Sequence, residues 1–318
     1  MRSLRDGQRH SGPAPRRGSR PGGDLRRPGA SRHRGAAGGL AIDLGSSGAR
    51  AWVSGRGLVT GAGWDEGFGR PVRRGRIVDP DSCARLLARL VDTALGADRH
   101  RSVIALSHPV LAGTEYRGRA RELLASLGVR DVVAVSSARA VAASLGAPAG
   151  GPLLVVDMGA GLTEVTLLVD GMIVDARQAE SGLGDLHDPG GSGGGGYGGG
   201  HGDGRSAGRG TDQGRAGGAG PGPVPAGIAG GVLDMIMSMW RQDKHGAVRG
   251  ALRRGPVLTG GGALRPDVTR RISLCLGTPA RLADDPSTAV VRGAGLILDS
   301  VLGHTGRGGA AGPSGRAG

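Results

Sequence analysis

The sequence predicts an α/β protein in which one topology, ββ(β)αβαβα, occurs twice around a cleft. Three observations carry that expectation. The series of strand-like and helix-like segments that begins at Leu40 starts again at Leu153. Each copy opens on a strand that ends in an Asp-x-Gly bend: Ile42-Asp43-Leu44-Gly45-Ser46-Ser47 is answered by Val156-Asp157-Met158-Gly159-Ala160-Gly161. Three tracts without hydrophobic period confine the ordered sequence to residues 39–186 and 225–303. The tracts are a basic Arg/Pro/Gly tail at 1–38, a Gly-rich insert at 187–224 and a Gly/Ala tail at 304–318, all expected to be disordered. What remains divides into a first lobe at 39–148 and a second at 149–186 plus 225–303.

In the first copy, strands are expected at Leu40–Asp43, Ala49–Val53 and Gly57–Thr60. Asp79 caps a helix with Pro80 in its first turn, where the missing N–H costs nothing. Its apolar stripe runs through Cys83, Leu86, Leu87, Leu90, Val91, Ala94 and Leu95, and Gly96 ends it. Ser102–Ser107 is a buried-type strand, Thr114–Leu127 a helix, Val132–Val135 a strand and Ser137–Leu145 a short Ala-rich helix. In the second copy, Leu153–Asp157, Thr163–Val169 and Met172–Gln178 are strands. They are followed by a helix at Ile228–Trp240, a strand at Pro256–Thr259, a helix at Pro266–Leu276, a strand at Ala280–Leu282 and a helix at Ser287–Leu302.

Composition excludes several classes. No apolar run reaches the ~20 residues of a membrane span, and no segment reads as a signal peptide, so the expectation is a cytoplasmic protein. The six aromatic residues rule out a stacking platform for single strands. Cys83 and Cys275 cannot make a disulfide framework or a zinc knuckle. The net charge of +14 is concentrated in the first 39 residues, which hold ten arginines against Asp6 and Asp24. Lys244 is the only lysine, a bias that high genomic G+C produces unaided, so nucleic-acid binding is not expected. The Arg-rich tail could still touch an anionic membrane surface, although it lacks the apolar face of an anchor.

The repeated bends carry the chemistry. Glycine lets backbone approach a phosphate closely, N–H groups and hydroxyls of a bend donate to it, and a carboxylate can hold the water shell of Mg²⁺. Two such bends facing each other across a cleft would clamp a nucleotide tail. The triple glycine Gly260-Gly261-Gly262 follows a strand and leads to a helix that Pro266 can start, again a place that favours anions. Isolated candidates read as structural. His108 has no local carboxylate partner; His187, His201 and Asp203 are bystanders in the Gly-rich insert; Met235, Met237, Met239 and Trp240 form a core and packing cluster.

With these motifs in hand, the sequence resembles the actin superfamily, and within it the bacterial MreB and MreB-like cell-shape proteins. The matching segments are IDLGSSGARAWVSGRGLV, RPVRRGRIVDPD (Arg70–Asp81), VVDMGAGLTEVTLLVDGMIV, LTGGGAL (Leu258–Leu264) and ADDPSTAVVRGAGLIL (Ala283–Leu298). The resemblance implies an actin-like, ribonuclease-H-like fold that binds ATP and Mg²⁺. Asp43, Gly45, Ser46 and Ser47 would face the phosphates from one lobe, and Asp157, Gly159, Gly161 and Thr163 from the other. Asp43 and Asp157 would hold Mg²⁺ through water, and Gly260, Gly261 and Gly262 would pass under the nucleoside. It also implies filaments and cell-wall morphogenesis partners.

Four departures imply a reduced member with impaired hydrolysis and no catalytic residue of its own. Ser137 stands where relatives carry the water-positioning Glu, and a hydroxyl is a poor general base. Ala160 and Leu162 replace small or hydroxyl residues in the second bend. The stretch Gly57–Arg70 is too short for one small subdomain, and the Gly-rich insert replaces the other, so both are largely missing. An active small ATPase or kinase of the same superfamily is the alternative; it would need a further cleft carboxylate, and the sequence shows no candidate besides Asp43 and Asp157. Binding of nucleic acid or anionic membrane by the basic tail is a third.

Overall fold

A computed structural model describes residues 38–63, 69–146, 150–186 and 226–308. Apart from Gly38, the basic tail lies outside the described residues, as do the Gly-rich insert with His187, His201 and Asp203, and the chain beyond Gly308.

The first half opens with β1 (Gly39–Gly45), β2 (Gly48–Val53) and β3 (Gly57–Gly63), joined as antiparallel hairpins. A two-residue-per-strand hairpin follows, β4 (Val72–Arg73) and β5 (Arg76–Ile77). Next come α1 (Pro80–Leu95), β6 (Val103–His108), α2 (Thr114–Ala125), β7 (Asp131–Ser136) and α3 (Ser137–Ser144). The second half repeats the plan with β8 (Pro152–Met158), β9 (Thr163–Val169), β10 (Met172–Ala179), α4 (Ala226–Gln242), α5 (Ala247–Arg254), β11 (Val257–Thr259), α6 (Pro266–Leu276), β12 (Arg281–Leu282) and α7 (Ala289–Gly308).

Two five-stranded sheets result, ordered β3-β2-β1-β6-β7 and β10-β9-β8-β11-β12. Each has three antiparallel strands continued by two parallel ones, so β1, β2, β3, β6 and β7 correspond in order to β8, β9, β10, β11 and β12. The duplicated topology expected from the sequence is therefore present, and its fold class is α/β.

Local chemistry explains the main elements. Asp79 caps α1 by accepting from the Ser82 amide at 3.0 Å, and Gly96, at φ +54°, stops it. Cys83, Leu86, Leu87, Leu90 and Val91 fall on one face and pack with Leu40, Ile42 and Ile104 into the first core. A second core joins Leu154, Val156 and Met158 to Ile236, Met239 and Ile272. The third core lies between the sheets: Ala41 and Ala105 from one and Val155 and Val257 from the other share it with Ala140 and Val141 of α3 and with Val291, Ala294 and Leu298 of α7. The last helix of each half is thus the filling between the halves. At the crossing of α3 and α7, a Cβ built on Gly293 would lie 1.7 Å from the Ala140 carbonyl oxygen.

Several expectations change. Helix α5 was not anticipated, because Gly250 and three arginines hide its buried stripe of Val248, Ala251 and Leu252. Asp243 starts it by accepting from the amides of Ala247 (3.0 Å) and Val248 (2.8 Å). The final helix runs to Gly308 rather than ending at Leu302. The expected Met/Trp packing cluster splits: Met235 and Met239 are buried in the second core, whereas Met237 and Trp240 are exposed, with the Arg249 guanidinium 5.6 Å from the Trp240 ring. No described helix is long and apolar enough to cross a membrane.

Candidate functional site: a cleft between two Asp-Gly bends

The two bends meet. Asp43, Gly45, Ser46 and Ser47 at the β1–β2 turn and Asp157, Gly159 and Gly161 at the β8–β9 turn line one cavity of about 280 Å³, near the lower bound of small-ligand sites. A Cβ placed on Gly161 would come within 3.1 Å of Ser46 Oγ, so a larger residue there would require the Ser46 side chain to give way. Among the described residues, the amides of Ser46, Ser47, Ala160 and Gly161 have no protein acceptor. Unpaired N–H groups on successive bend residues make an anion-binding concavity. The carbonyls of the second bend are occupied on its far side, Gly159 accepting from Leu183 N (3.1 Å) and Ala160 from Gly184 N (2.7 Å).

The third predicted segment also reaches the cavity. Gly260 and Gly261 line it, while Gly262 is buried against Met158, where a Cβ would fall 2.5 Å from the Met158 Cβ. Gly260 has φ +80°, and its Cβ would meet the Met158 carbonyl oxygen at 2.5 Å and Asp157 Oδ1 at 2.6 Å. Both strain and space require glycine there. The loop is tied to the start of α7 by Gly260 N and Thr259 Oγ1, which donate to the Pro286 carbonyl at 2.9 and 3.0 Å. Thr163, expected to face the phosphates, does not join the group: its hydroxyl donates to the Ser181 carbonyl at 2.9 Å and it is absent from the cavity wall.

Hairpin register adds two residues that sequence reasoning passed over. Directly opposite Asp43 on β2 stands Arg50, and directly opposite Asp157 on β9 stands Glu164. Opposed residues of an antiparallel pair share a face, so both side chains enter the cavity. Arg50 lies 3.9 Å from Asp43 Oδ2 and is the one Arg or Lys among the described lining residues. Asp43 also accepts from Ser107 Oγ.

Glu164, 4% exposed, accepts from Ser137 Oγ at 3.2 Å and from the Leu111 amide at 3.4 Å. Burial, with the neighbouring Glu164 and Asp43 carboxylates, pushes Asp157 up to about 7; burial pushes Glu164 up to about 7 as well. His108, expected to be structural, is buried and also lines the cavity. Its Nδ1 donates to the Pro109 carbonyl at 2.8 Å, and desolvation lowers its pKa, which favours the neutral ring.

The β4–β5 hairpin forms one rim. Arg74 and Gly75 both have positive φ, the conformation of a tight two-residue turn. The Arg74 amide donates to Ser46 Oγ at 3.1 Å, and the hairpin reaches the second half through Arg74–Asp185 (3.3 Å) and Arg76–Glu180 (3.1 Å). These pairs are exposed and contribute ~1 kcal/mol or less each.

The donor set fits a magnesium polyphosphate. Asp43 and Asp157 offer carboxylate oxygens, and hydroxyls and amides line the walls between them. Among the described residues, no group of three or more His, Cys, Asp or Glu could hold a metal alone. Mg²⁺ keeps several waters and takes one or two carboxylates beside phosphate oxygens, a demand that the Asp43 and Asp157 carboxylates fit.

The family model "Actin" matches residues 65–186. A 65-residue segment is 43% identical to the cell shape-determining protein MreB of Pasteurella multocida (strain Pm70), covering 20% of this chain and 18% of that relative. The chain therefore matches only about a fifth of that protein's length. Two crystal structures of MreB5 of Spiroplasma citri share the fold, each at 15% identity. The one bound to AMPPNP has a TM-score of 0.65 over 86% of this chain and 99% of that one. The one bound to ADP has a TM-score of 0.64 over 85% and 98%.

Proposed function

We propose that this chain, an MreB-like protein of the actin superfamily, binds a nucleoside triphosphate with Mg²⁺ between its two Asp-Gly bends and serves in cell shape and cell-wall morphogenesis. One observation carries the nucleotide reading: bends from opposite halves face a single cavity where, among the described residues, four bend amides lack a protein acceptor and Arg50 supplies a cation. The nucleotide-bound MreB5 structures support it.

In this reading the amides of Ser46, Ser47, Ala160 and Gly161 and the Arg50 guanidinium hold the phosphate oxygens. Asp43 and Asp157 hold the water shell of the magnesium ion, which supplies positive charge to the phosphates. Gly260 and Gly261 keep the nucleoside side of the cavity open. Hydrolysis is slow, below one turnover per second, because Ser137 is the residue at the position where relatives bear a carboxylate. Self-association, cytoplasmic location and contact of the Arg-rich tail with anionic lipid complete the proposal.

Titration calorimetry tests it. ATP with Mg²⁺ should bind saturably to the native protein, and Asp157→Ala should abolish the strengthening by Mg²⁺, weakening binding about tenfold, or ~1.4 kcal/mol. No heat with the native protein would overturn the reading and leave a nucleotide-free scaffold.

A further inference from the structure

We infer that Glu164 is the proton acceptor of this cleft, taking the proton of a water that attacks the terminal phosphoryl group, with Ser137 holding its carboxylate in place. The inference rests on the nucleotide reading above and concerns which residue of this chain carries the turnover that remains.

Of the acidic side chains in the cavity wall, Asp43 is engaged by Ser107 Oγ and faces Arg50, so its negative charge is already compensated. Asp157 sits at the root of the second bend, where it packs against the backbone of Gly260. Glu164 is set one strand further along the wall. One carboxylate oxygen is oriented by the Ser137 hydroxyl at 3.2 Å and the other by the Leu111 amide at 3.4 Å. Three elements, β9, α3 and the segment after β6, therefore hold one buried carboxylate against the cavity. A carboxylate so placed is a base with fixed geometry, whereas the Ser137 hydroxyl that orients it is a donor with no basicity of its own at neutral pH.

The charged and titratable groups facing Glu164 are Asp157 from β8, Asp43 and Arg50 from β1 and β2, and His108 from β6. Burial raises the Glu164 carboxyl above the ordinary carboxylate range, so it holds a proton more readily than a solvated glutamate does. In the step, Glu164 receives the water proton as the water oxygen bonds to the γ-phosphorus. The bond from phosphorus to the β,γ-bridging oxygen breaks, and its electron pair leaves on the nucleoside diphosphate. Glu164 then releases the proton to solvent, so that inorganic phosphate and diphosphate are the products.

The test compares the native chain, Glu164→Gln, Ser137→Ala and Ser137→Thr in two measurements. Binding of a non-hydrolysable ATP analogue with Mg²⁺ should be retained in all four. Phosphate release should be slow but above the spontaneous rate in the native protein. It should fall about 100-fold or more in Glu164→Gln. Ser137→Ala should lower release with analogue binding unchanged, and Ser137→Thr, which keeps the hydroxyl that orients the carboxylate, should restore it. Analogue binding with native phosphate release at the spontaneous rate, or equal release from Glu164→Gln, overturns the role of Glu164 alone. Failure of the native chain to bind the analogue overturns the nucleotide reading and this inference together.

Discussion

Gly293→Ala is expected to cost about 3 kcal/mol or more, a large fraction of the ~5–15 kcal/mol that holds a domain folded. Placing Ala at a helix interior normally stabilises by ~1 kcal/mol relative to Gly. Here the added carbon would lie 1.7 Å from the Ala140 carbonyl oxygen and 2.4 Å from its carbon, backbone atoms that cannot turn aside. Relief requires α7 to lift from α3. That opens the third core, where Ala140, Val141, Val291 and Ala294 are essentially inaccessible. Steric overlap therefore outweighs propensity by a wide margin. Gly231→Ala in α4 is the contrast: nothing lies within 4 Å of its Cβ, and it should gain ~0.5–1 kcal/mol. Urea unfolding of the two variants beside the native chain checks both signs.

The second large effect is electrostatic. Glu164, buried, and Asp157, half-buried at the cavity wall, oppose each other across β8 and β9, and both are raised to about 7 from ordinary values of 3.8 and 4.5. A folded state with raised acid pKa values binds protons more tightly than the unfolded chain. Between roughly pH 4 and pH 7 the unfolded chain sheds these protons first, so stability falls as pH rises and the full penalty is present above about 7. At 1.36 kcal/mol per unit, and treating the two as one interacting pair, the penalty is on the order of 3–5 kcal/mol by pH 8. The nucleotide-free protein should thus melt at a lower temperature at pH 8 than at pH 5.5. Asp157→Asn should remove much of that difference and stabilise the protein at pH 8. Thermal unfolding followed from pH 5 to 8 reads this directly, and a flat native profile would contradict the buried pairing.

Much of the architecture was legible because it is written twice. The Asp-x-Gly bends could be matched to one another, and the glycine of the second marks where the two bends come close, Gly161 lying against the Ser46 side chain. The Asp79-Pro80 helix start and the Gly96 stop were readable from capping chemistry alone. Arg50 and Glu164 were missed for a different reason. Each stands seven residues after the Asp of its bend, and only hairpin register turns that spacing into a shared face. A signal for Glu164 was present: β9 is covered on both faces, and a carboxylate in such a strand must either be paired or line a cavity. The crossing of α3 with α7 was illegible, because a helical glycine reads as a local weakness until the partner backbone is seen. Thr163 misled because its hydroxyl could serve phosphate or backbone equally, and the Ser181 carbonyl takes it.

Hydrogen–deuterium exchange on the protein with and without a non-hydrolysable ATP analogue and Mg²⁺ tests the clamp most directly. Residues 44–48 and 158–162 lie in different sheets, and one polyphosphate can protect both only if the two bends hold it together. Both segments should gain protection in parallel as the analogue saturates. Bound analogue with protection at one bend only, or at neither, would contradict the clamp.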